Sequence, residues 1–331
     1  MAGHDIVAVG SSAGGVEALT SLCAGLPADF PAAVLVVQHV SPISRSVLPQ
    51  LLGRAGPLKV DHAVDGEAII PGRIYVAPPG IHLLIEDGHV LLRRGPPENR
   101  TRPAIDPLFR SVAIAYGPRA IGVVLTGVLD DGSAGLKAIK QCGGVSVVQD
   151  PLDAAWPEMP RNALLGDHAD HVVTLANLPA LLIRLANEPP GPAVDVPPHL
   201  IAEARAAAQE APLPDHLSRL SHPNHLTCPR CGGVLNEIAG DGAAQFRSQV
   251  GHAFTAEGLA AAQADELERA LESAARMHRD RVVLFRRLQQ LSEGRSLRHS
   301  AERWRAGAEE SERAANLISE AVRLLHKPDA G

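Results

Sequence analysis

The chain has 331 residues, a formal net charge of −6 and 45% hydrophobic residues, which suits one sizeable α/β core and a second, smaller region. The acidic balance, with no basic cluster interleaved with aromatics, argues against a nucleic-acid binder. No apolar run approaches the roughly 18 residues of a membrane-spanning helix, so no membrane insertion is expected. Aromatics make up only 3%, so the core must be mostly Val, Leu, Ile and Ala. The start "MAGHDIVAVG" lacks the charged-then-apolar pattern of a secretion signal. Cys23 and Cys142 stand alone, while Cys228 and Cys231 form a Cys-x-x-Cys pair. That usage fits a reducing compartment better than a disulfide scaffold, and a cytosolic location is expected.

From Asp5 to about Asn187, short β-branched runs alternate with amphipathic helical stretches. The runs "DIVAVG", "AAVLVVQH", "RAIGVVLTG", "GVSVVQD" and "HVVTL" read as strands, with helices such as "GGVEALTSLCAGL" and "AGLKAIKQCG" between them. Near-continuous apolar strands separated by helices predict a doubly wound, mostly parallel sheet covered on both faces. The segment "GRIYVAPPGIHLLIEDGHVLLRRG" reads as an inserted antiparallel hairpin, because Asp87-Gly88 sits between alternating runs. A proline-rich linker, "NEPPGPAVDVPPHL", leads to a weak helix, "IAEARAAAQEA". The expected division is a catalytic domain over 1–188, a linker over 189–222, a zinc-ribbon-like segment over 223–256 and a helical tail over 257–331. In the tail, Leu259, Leu267, Leu271 and Ala274, then Leu284, Leu288 and Leu291, lie at helical spacing. "SEGRS" interrupts the pattern, so a hairpin of two long helices is expected.

Chemistry in an open parallel sheet gathers at the carboxyl ends of its strands. The first strand ends in Gly10-Ser11-Ser12, the second in Gln38-His39, and "GVVLTG" leads into a loop with Asp130 and Asp131. A hydroxyl, an imidazole and a carboxylate would converge there, as a hydrolytic triad requires. A lone serine at such a turn is more often a helix cap. A dinucleotide site is disfavoured by the Gly-x-x-x-Gly-Gly spacing and the missing ribose-binding acid. A P-loop would need Gly-Lys-Ser/Thr, which is absent.

The blocks "VAVGSSAGG", "VVQHV", "GRIYVAPPGIHLLI", "NRTRPAIDPLFRSVA", "GVVLTGVLDDGSAGL" and "EMPRNAL" resemble, in order and spacing, the catalytic domain of CheB-type protein-glutamate methylesterases. The resemblance covers roughly residues 5 to 187. It implies a catalytic serine, histidine and aspartate at Ser12, His39 and Asp131, with no catalytic cofactor. It further implies hydrolysis of glutamate methyl esters on chemotaxis receptors, and deamidation of glutamine through the same intermediate. The amides near Ala13 and Val128 are the candidate oxyanion donors. Two departures stand out. The family typically has glycine where this chain has Leu129, so a positive φ there would strain the loop. The family's receiver domain is expected to be missing, since the sequence starts at the first esterase strand. Rival readings are an acyl hydrolase outside chemotaxis and a catalytically disabled binding module.

Cys228-x-x-Cys231 followed by Gly232-Gly233 has the form of a zinc knuckle. The segment "FRSQVGHAF" resembles one that follows some receiver-less methylesterases, with cysteine expected where Ser248 stands and histidine at His252. Cys228, Cys231 and His252 are therefore the candidate ligands of a structural zinc, with His222 or His225 open as a fourth. The alternative is a metal-free relic. The helices could dimerise, dock on the esterase domain, or bind a receptor or methyltransferase partner; an intramolecular hairpin is the simpler reading. Nothing after Glu188 supplies a triad member, so residues 5 to 187 are expected to hold the whole machinery.

Overall fold

Strands buried on both faces form wherever the sequence runs apolar without alternation, and these runs organise the first 190 residues. The computed structural model describes residues 3–41, 46–166, 169–208, 221–238 and 245–325. The elements are β1 (Ile6–Ser11), α1 (Gly15–Gly25), β2 (Ala33–Gln38), α2 (Leu48–Ala55), β3 (Lys59–His62), β4 (Arg73–Val76), β5 (His82–Glu86) and β6 (His89–Arg93). After them come α3 (Ile105–Tyr116), β7 (Ala120–Val124), α4 (Ser133–Gln141), β8 (Val145–Gln149), α5 (Glu158–Gly166), β9 (His171–Val173) and α6 (Leu178–Asn187).

Seven strands form one sheet in the order β3-β4-β2-β1-β7-β8-β9, and every neighbouring pair is parallel. β1 lies between β2 and β7, where the winding reverses, and such a switch point opens a crevice at the strand ends. Alternation along β1 divides its side chains between two cores. Ile6 and Ala8 pack with Phe109 of α3 and Leu136 of α4, whereas Val7 and Val9 pack with Leu19 of α1 and Leu182 of α6.

The expected hairpin is smaller than the sequence suggests. "RIYV" is β4, a parallel strand of the main sheet beside β2, and only β5 and β6 form the antiparallel pair. Asp87 and Gly88 have φ of 46° and 76°, the two left-handed residues of a tight hairpin turn. β3 went unread in the sequence because it is a four-residue edge strand, "KVDH", in which Lys59, Asp61 and His62 leave no apolar run.

Beyond α6 the chain forms α7 (Pro198–Ala207), then a small antiparallel sheet in the order β10-β11-β12-β13. Its strands are β10 (Ser221–Thr227), β11 (Val234–Ile238), β12 (Gln245–Ser248) and β13 (Ala253–Thr255). Residues 209–220 of the expected linker, and the side chains of His222 and His225, lie outside the described residues.

α7 and the small sheet are anchored to the seven-stranded α/β part by charge. Arg110 of α3 donates to Glu98 Oε2 at 2.5 Å, and its Nε lies 3.5 Å from Glu203 of α7. Arg247 of β12 lies 3.4 Å from Glu98 Oε1 and 3.9 Å from Glu203 Oε2. All four residues are buried. Burial alone would push the Glu98 carboxyl up, but Arg110 and Arg247 hold it below the usual carboxylate range.

Two long helices complete the chain, α8 (Ala256–Gly294) and α9 (Arg298–Leu325). Residues 260–331 form a separate unit. Within it the helices run antiparallel: Phe285 packs 5.4 Å from Trp304, Arg286 bonds Glu312 at 3.0 Å and Arg279 bonds Ser319 at 3.0 Å. Of the leucines read at helical spacing, Leu259 is buried and Leu267, Leu284 and Leu291 are exposed. Small residues are buried in their place: Ala275 on α8, and Ala301, Ala308, Ser311 and Ala315 on α9. Residues 326–331 of the expected tail helix lie outside the described residues.

The four-charge cluster is electrically balanced, so removing one member leaves a buried carboxylate without its counter-charge. Arg247→Ala is expected to destabilise the protein by about 3 to 5 kcal/mol, read as a lower urea midpoint. A second change, Glu203→Gln, should recover part of that loss.

Candidate active site

Ser12 leaves β1 through a turn that tolerates little bulk. Gly14 has φ 73°, and a Cβ on Gly15 would lie 2.1 Å from Gln38 Oε1. A Cβ on Gly127 would lie 2.8 Å from Ser12 Cβ. The backbone ties the three strand ends together: Ser12 N–H donates to Thr126 O, and His39 N–H donates to Ser11 O, both at 3.0 Å. Gln38 reinforces the tie. It accepts from Ser11 Oγ at 2.7 Å and donates to Ser12 O at 2.8 Å and His39 O at 3.0 Å.

Ser11 is thereby occupied, and Ser12 is the serine that faces the imidazole. Ser12 Oγ lies 3.2 Å from His39 Nδ1, and His39 Nε2 lies 2.7 Å from Asp131 Oδ2. Thr101 Oγ1 is 3.3 Å from the same Nε2. Either ring nitrogen can act as base when the other holds its proton against an acceptor. The three candidates read from the sequence therefore meet in one line. The His39 side chain is 14% exposed and that of Asp131 2%, so the line runs from solvent into the core.

Asp131 is held mainly by backbone. Its Oδ2 accepts from Ile105 N–H at 2.7 Å and its Oδ1 from Asp106 N–H at 3.2 Å, placing the carboxylate at the amino end of α3. Asn99 Nδ2 donates to Oδ1 at 2.9 Å. Burial pushes this carboxyl up, but hydrogen bonds and charge from His39, with the Ile105 amide and Asn99, outweigh it and lower its pKa. A helix amino end favours such an anion. Asp106 reciprocates at the amino end of α4, accepting from Gly132 N–H at 3.0 Å and Gly135 N–H at 2.7 Å. Burial, then the Asp131 charge, drive the Asp106 carboxyl well above the usual range.

Asp130, unlike Asp131, makes no hydrogen bond to His39 among the described residues and interacts with the Thr255 side chain instead. Its Oδ1 is buried with no hydrogen-bond partner. Leu129 has φ 62°, the left-handed conformation that glycine would adopt freely and that strains other residues by about 1 to 2 kcal/mol.

Asn99, Thr101 and Asp106 went unread as site residues. Asn99 and Asp106 lie inside "NRTRPAIDPLFRSVA", but an acidic residue in a first helical turn signals only a cap. Their partners lie far away in sequence.

Cys228, Cys231 and His252 also come together, with candidate ligand atoms all within 4.8 Å of one another. Cys228 N–H donates to Gly233 O at 2.7 Å and Gly232 N–H to Cys228 O at 2.8 Å, closing a tight turn. Ser248 Oγ lies 3.5 Å from His252 Nδ1, beside the three donors. Two thiolates and an imidazole suit zinc, with the fourth position left to a weaker donor.

A hydroxyl, an imidazole and a carboxylate hydrogen-bonded in line at the switch point of a doubly wound sheet can carry out acyl transfer, as serine hydrolases do. Residues 7–182 match the family model described as CheB methylesterase, and the chain belongs to that family. A putative protein-glutamate methylesterase/protein-glutamine glutaminase of Leptospira interrogans is 39% identical over 183 residues, 55% of this chain and 95% of that protein. Protein-glutamate methylesterase/protein-glutamine glutaminase 1 of Xanthomonas campestris is 42% identical over 185 residues, 55% of this chain and 51% of that protein. The CheB methylesterase catalytic domain of Thermotoga maritima superposes with a TM-score of 0.53 at 34% identity, covering 55% of this chain and 98% of that one. No described helix is long and apolar enough to cross a membrane.

Burial raises the Asp130 carboxyl to about 6; the Thr255 hydrogen bond lowers it, and the Glu257 and Asp131 charges raise it. The folded state therefore binds this proton more tightly than the unfolded chain does. The resulting stability is full below about pH 4 and is lost as pH rises through about 6. Asp130→Asn should thus be more stable than the native protein at pH 7.5, by about 2 to 3 kcal/mol. Urea titrations should show the difference closing near pH 4.

Proposed function

We propose that this chain is a serine esterase that hydrolyses glutamate methyl esters on a methylated chemotaxis receptor or a related signalling protein. Glutamine deamidation would follow the same course, with ammonia leaving in place of methanol. The observation that carries the reading is the hydrogen-bonded line from Ser12 Oγ through His39 to Asp131.

In this reading His39 Nδ1 takes the Ser12 proton as the oxygen attacks the ester carbonyl. The tetrahedral intermediate collapses, and methanol departs with that proton. Water, deprotonated by His39, then attacks the glutamyl-serine ester; its collapse releases the carboxylate and returns the proton to Ser12. Asp131 holds the other ring N–H and stabilises the imidazolium formed in each step. The amides of Ala13 and Val128 donate to no protein acceptor among the described residues, which leaves them for the developing oxyanion.

Ser12→Ala and His39→Ala should each reduce methanol release from methylated receptor by about 10³-fold or more while the protein stays folded. Asp131→Asn should impair it strongly and Asp130→Asn far less. Greater damage from Asp130→Asn would reassign the acid. Hydrolysis of other esters with the receptor untouched would move the protein outside chemotaxis. A folded protein with no reaction at Ser12 towards a fluorophosphonate would make it a binding module.

Cys228, Cys231 and His252 are assigned to a structural zinc, on the strength of their donor types and spacing. Ser248→Cys, which supplies a third thiolate, should retain more zinc after mild chelation, as measured by elemental analysis. Equal and negligible zinc in both proteins would remove this assignment.

A further inference from the structure

The loop that carries Asp131 is gripped by a part of the chain outside the family match. Ala253 of β13 bridges in parallel to Glu98, and its carbonyl accepts the Asn99 N–H at 3.0 Å. Two residues on, Thr255 N–H donates to Asn99 Oδ1 at 3.2 Å, and Asn99 Nδ2 in turn donates to Asp131 Oδ1. The Thr255 hydroxyl bonds the Asp130 carboxylate and accepts the Gly258 N–H at 3.0 Å, capping α8. Glu257 accepts from Asn162 Nδ2 at 2.8 Å, and that same nitrogen donates to the Leu129 carbonyl at 3.0 Å.

Leu129, Asp130 and Asp131 are thus each reached from residues 253–258, Asp130 directly and the other two through an asparagine. The contact is dry: Thr255 and Asp130 are 5% and 7% exposed. Glycine at position 258 permits it, since a Cβ there would lie 3.0 Å from Thr255 Oγ1. The loop also needs holding, because Leu129 sits at positive φ and two carboxylates follow it directly.

From this geometry we infer that residues 253–258 are a strap that positions the acid loop, with Thr255 a positioning residue for the His39–Asp131 pair. The link to turnover rests on the triad reading; the Thr255 hydroxyl reaches Asp131 indirectly, by fixing through Gly258 N–H the turn whose Thr255 N–H holds Asn99. The Ile105 and Asp106 amides still hold Asp131 when the strap is loosened, so the expected loss is partial.

The test uses the full chain with Thr255→Val, which keeps shape and amide but removes the hydroxyl, and Thr255→Ser, which restores it. One readout is kcat and KM on p-nitrophenyl acetate. The other is the downfield proton resonance of the His39 ring N–H bonded to Asp131, assigned by its loss in His39→Gln. Thr255→Val should lower kcat about tenfold with KM within about twofold, and shift or broaden the resonance. Thr255→Ser should restore both. A folded Thr255→Val protein with native kcat and an unmoved resonance would overturn the strap, whether or not its melting temperature falls. If the native protein lacks esterase activity, the triad reading fails, and the resonance alone still decides the strap. Should Thr255→Val not fold, Glu257→Ala at the exposed end should lower kcat about two- to threefold and move the resonance; native values for both would overturn the inference.

Discussion

Asp131 accepts the amides at the start of α3, and Asp106 accepts the amides at the start of α4. This crossed pair of carboxylate caps fixes the loop after β7 against the loop before α3, and Asn99 joins the two by donating to both. Two buried carboxylates so close cannot both ionise freely. Asp131 takes the charge because His39 and the helix end favour it, and Asp106 is driven the other way. The amides of Ile105 and Asp106 fix Asp131 and, through it, the ring of His39; in the proposed reading such preorganisation favours charge developing in a transition state.

The same loops carry the attachment of the C-terminal sheet. Glu98 begins the segment that leads through Asn99 and Thr101 to the site, and it is also the hub of the four-charge cluster with Arg110, Glu203 and Arg247. A buried cluster of this kind contributes little net stability over apolar packing, but it penalises any misplacement of its members heavily. Its contacts join α7 and β12 to α3 and to Glu98. Residues 5 to 187 contain Ser12, His39 and Asp131, whereas Glu98 and Asn99 are also bonded from Arg247, Ala253 and Thr255, further along the chain.

What the sequence made legible follows from local physics. β1, β2, β7 and β8 announce themselves because both faces are buried, and the Asp87-Gly88 turn because two left-handed residues are needed there. β4 was misread because a strong hairpin signal drew in a neighbouring apolar run. Leu129 shows a subtler success: its departure from the family's glycine marked a position of positive φ, and its φ is 62°. The supports were illegible because Asn99, Thr255 and Arg247 act through partners far along the chain, with Thr255 and Asn99 156 residues apart. The tail misled in another way. Its leucines have helical spacing, yet Leu267, Leu284 and Leu291 are exposed while Phe285 packs on Trp304 across the two helices, so periodicity located the helices without locating the face.

The distance between Thr255 and Asn99 along the chain bears on how the protein is made. Domains fold as the chain emerges, amino end first, and the seven-stranded sheet has all its strands once β9 has left the ribosome. At that stage Ser12, His39 and Asp131 are already present, yet the loop bearing the acid still lacks its partners from β13 and α8. The three side chains of the proposed triad are thus synthesised before the segment that braces the loop of Asp131. The segment that supplies those partners, residues 253–258, carries none of the three proposed reacting groups.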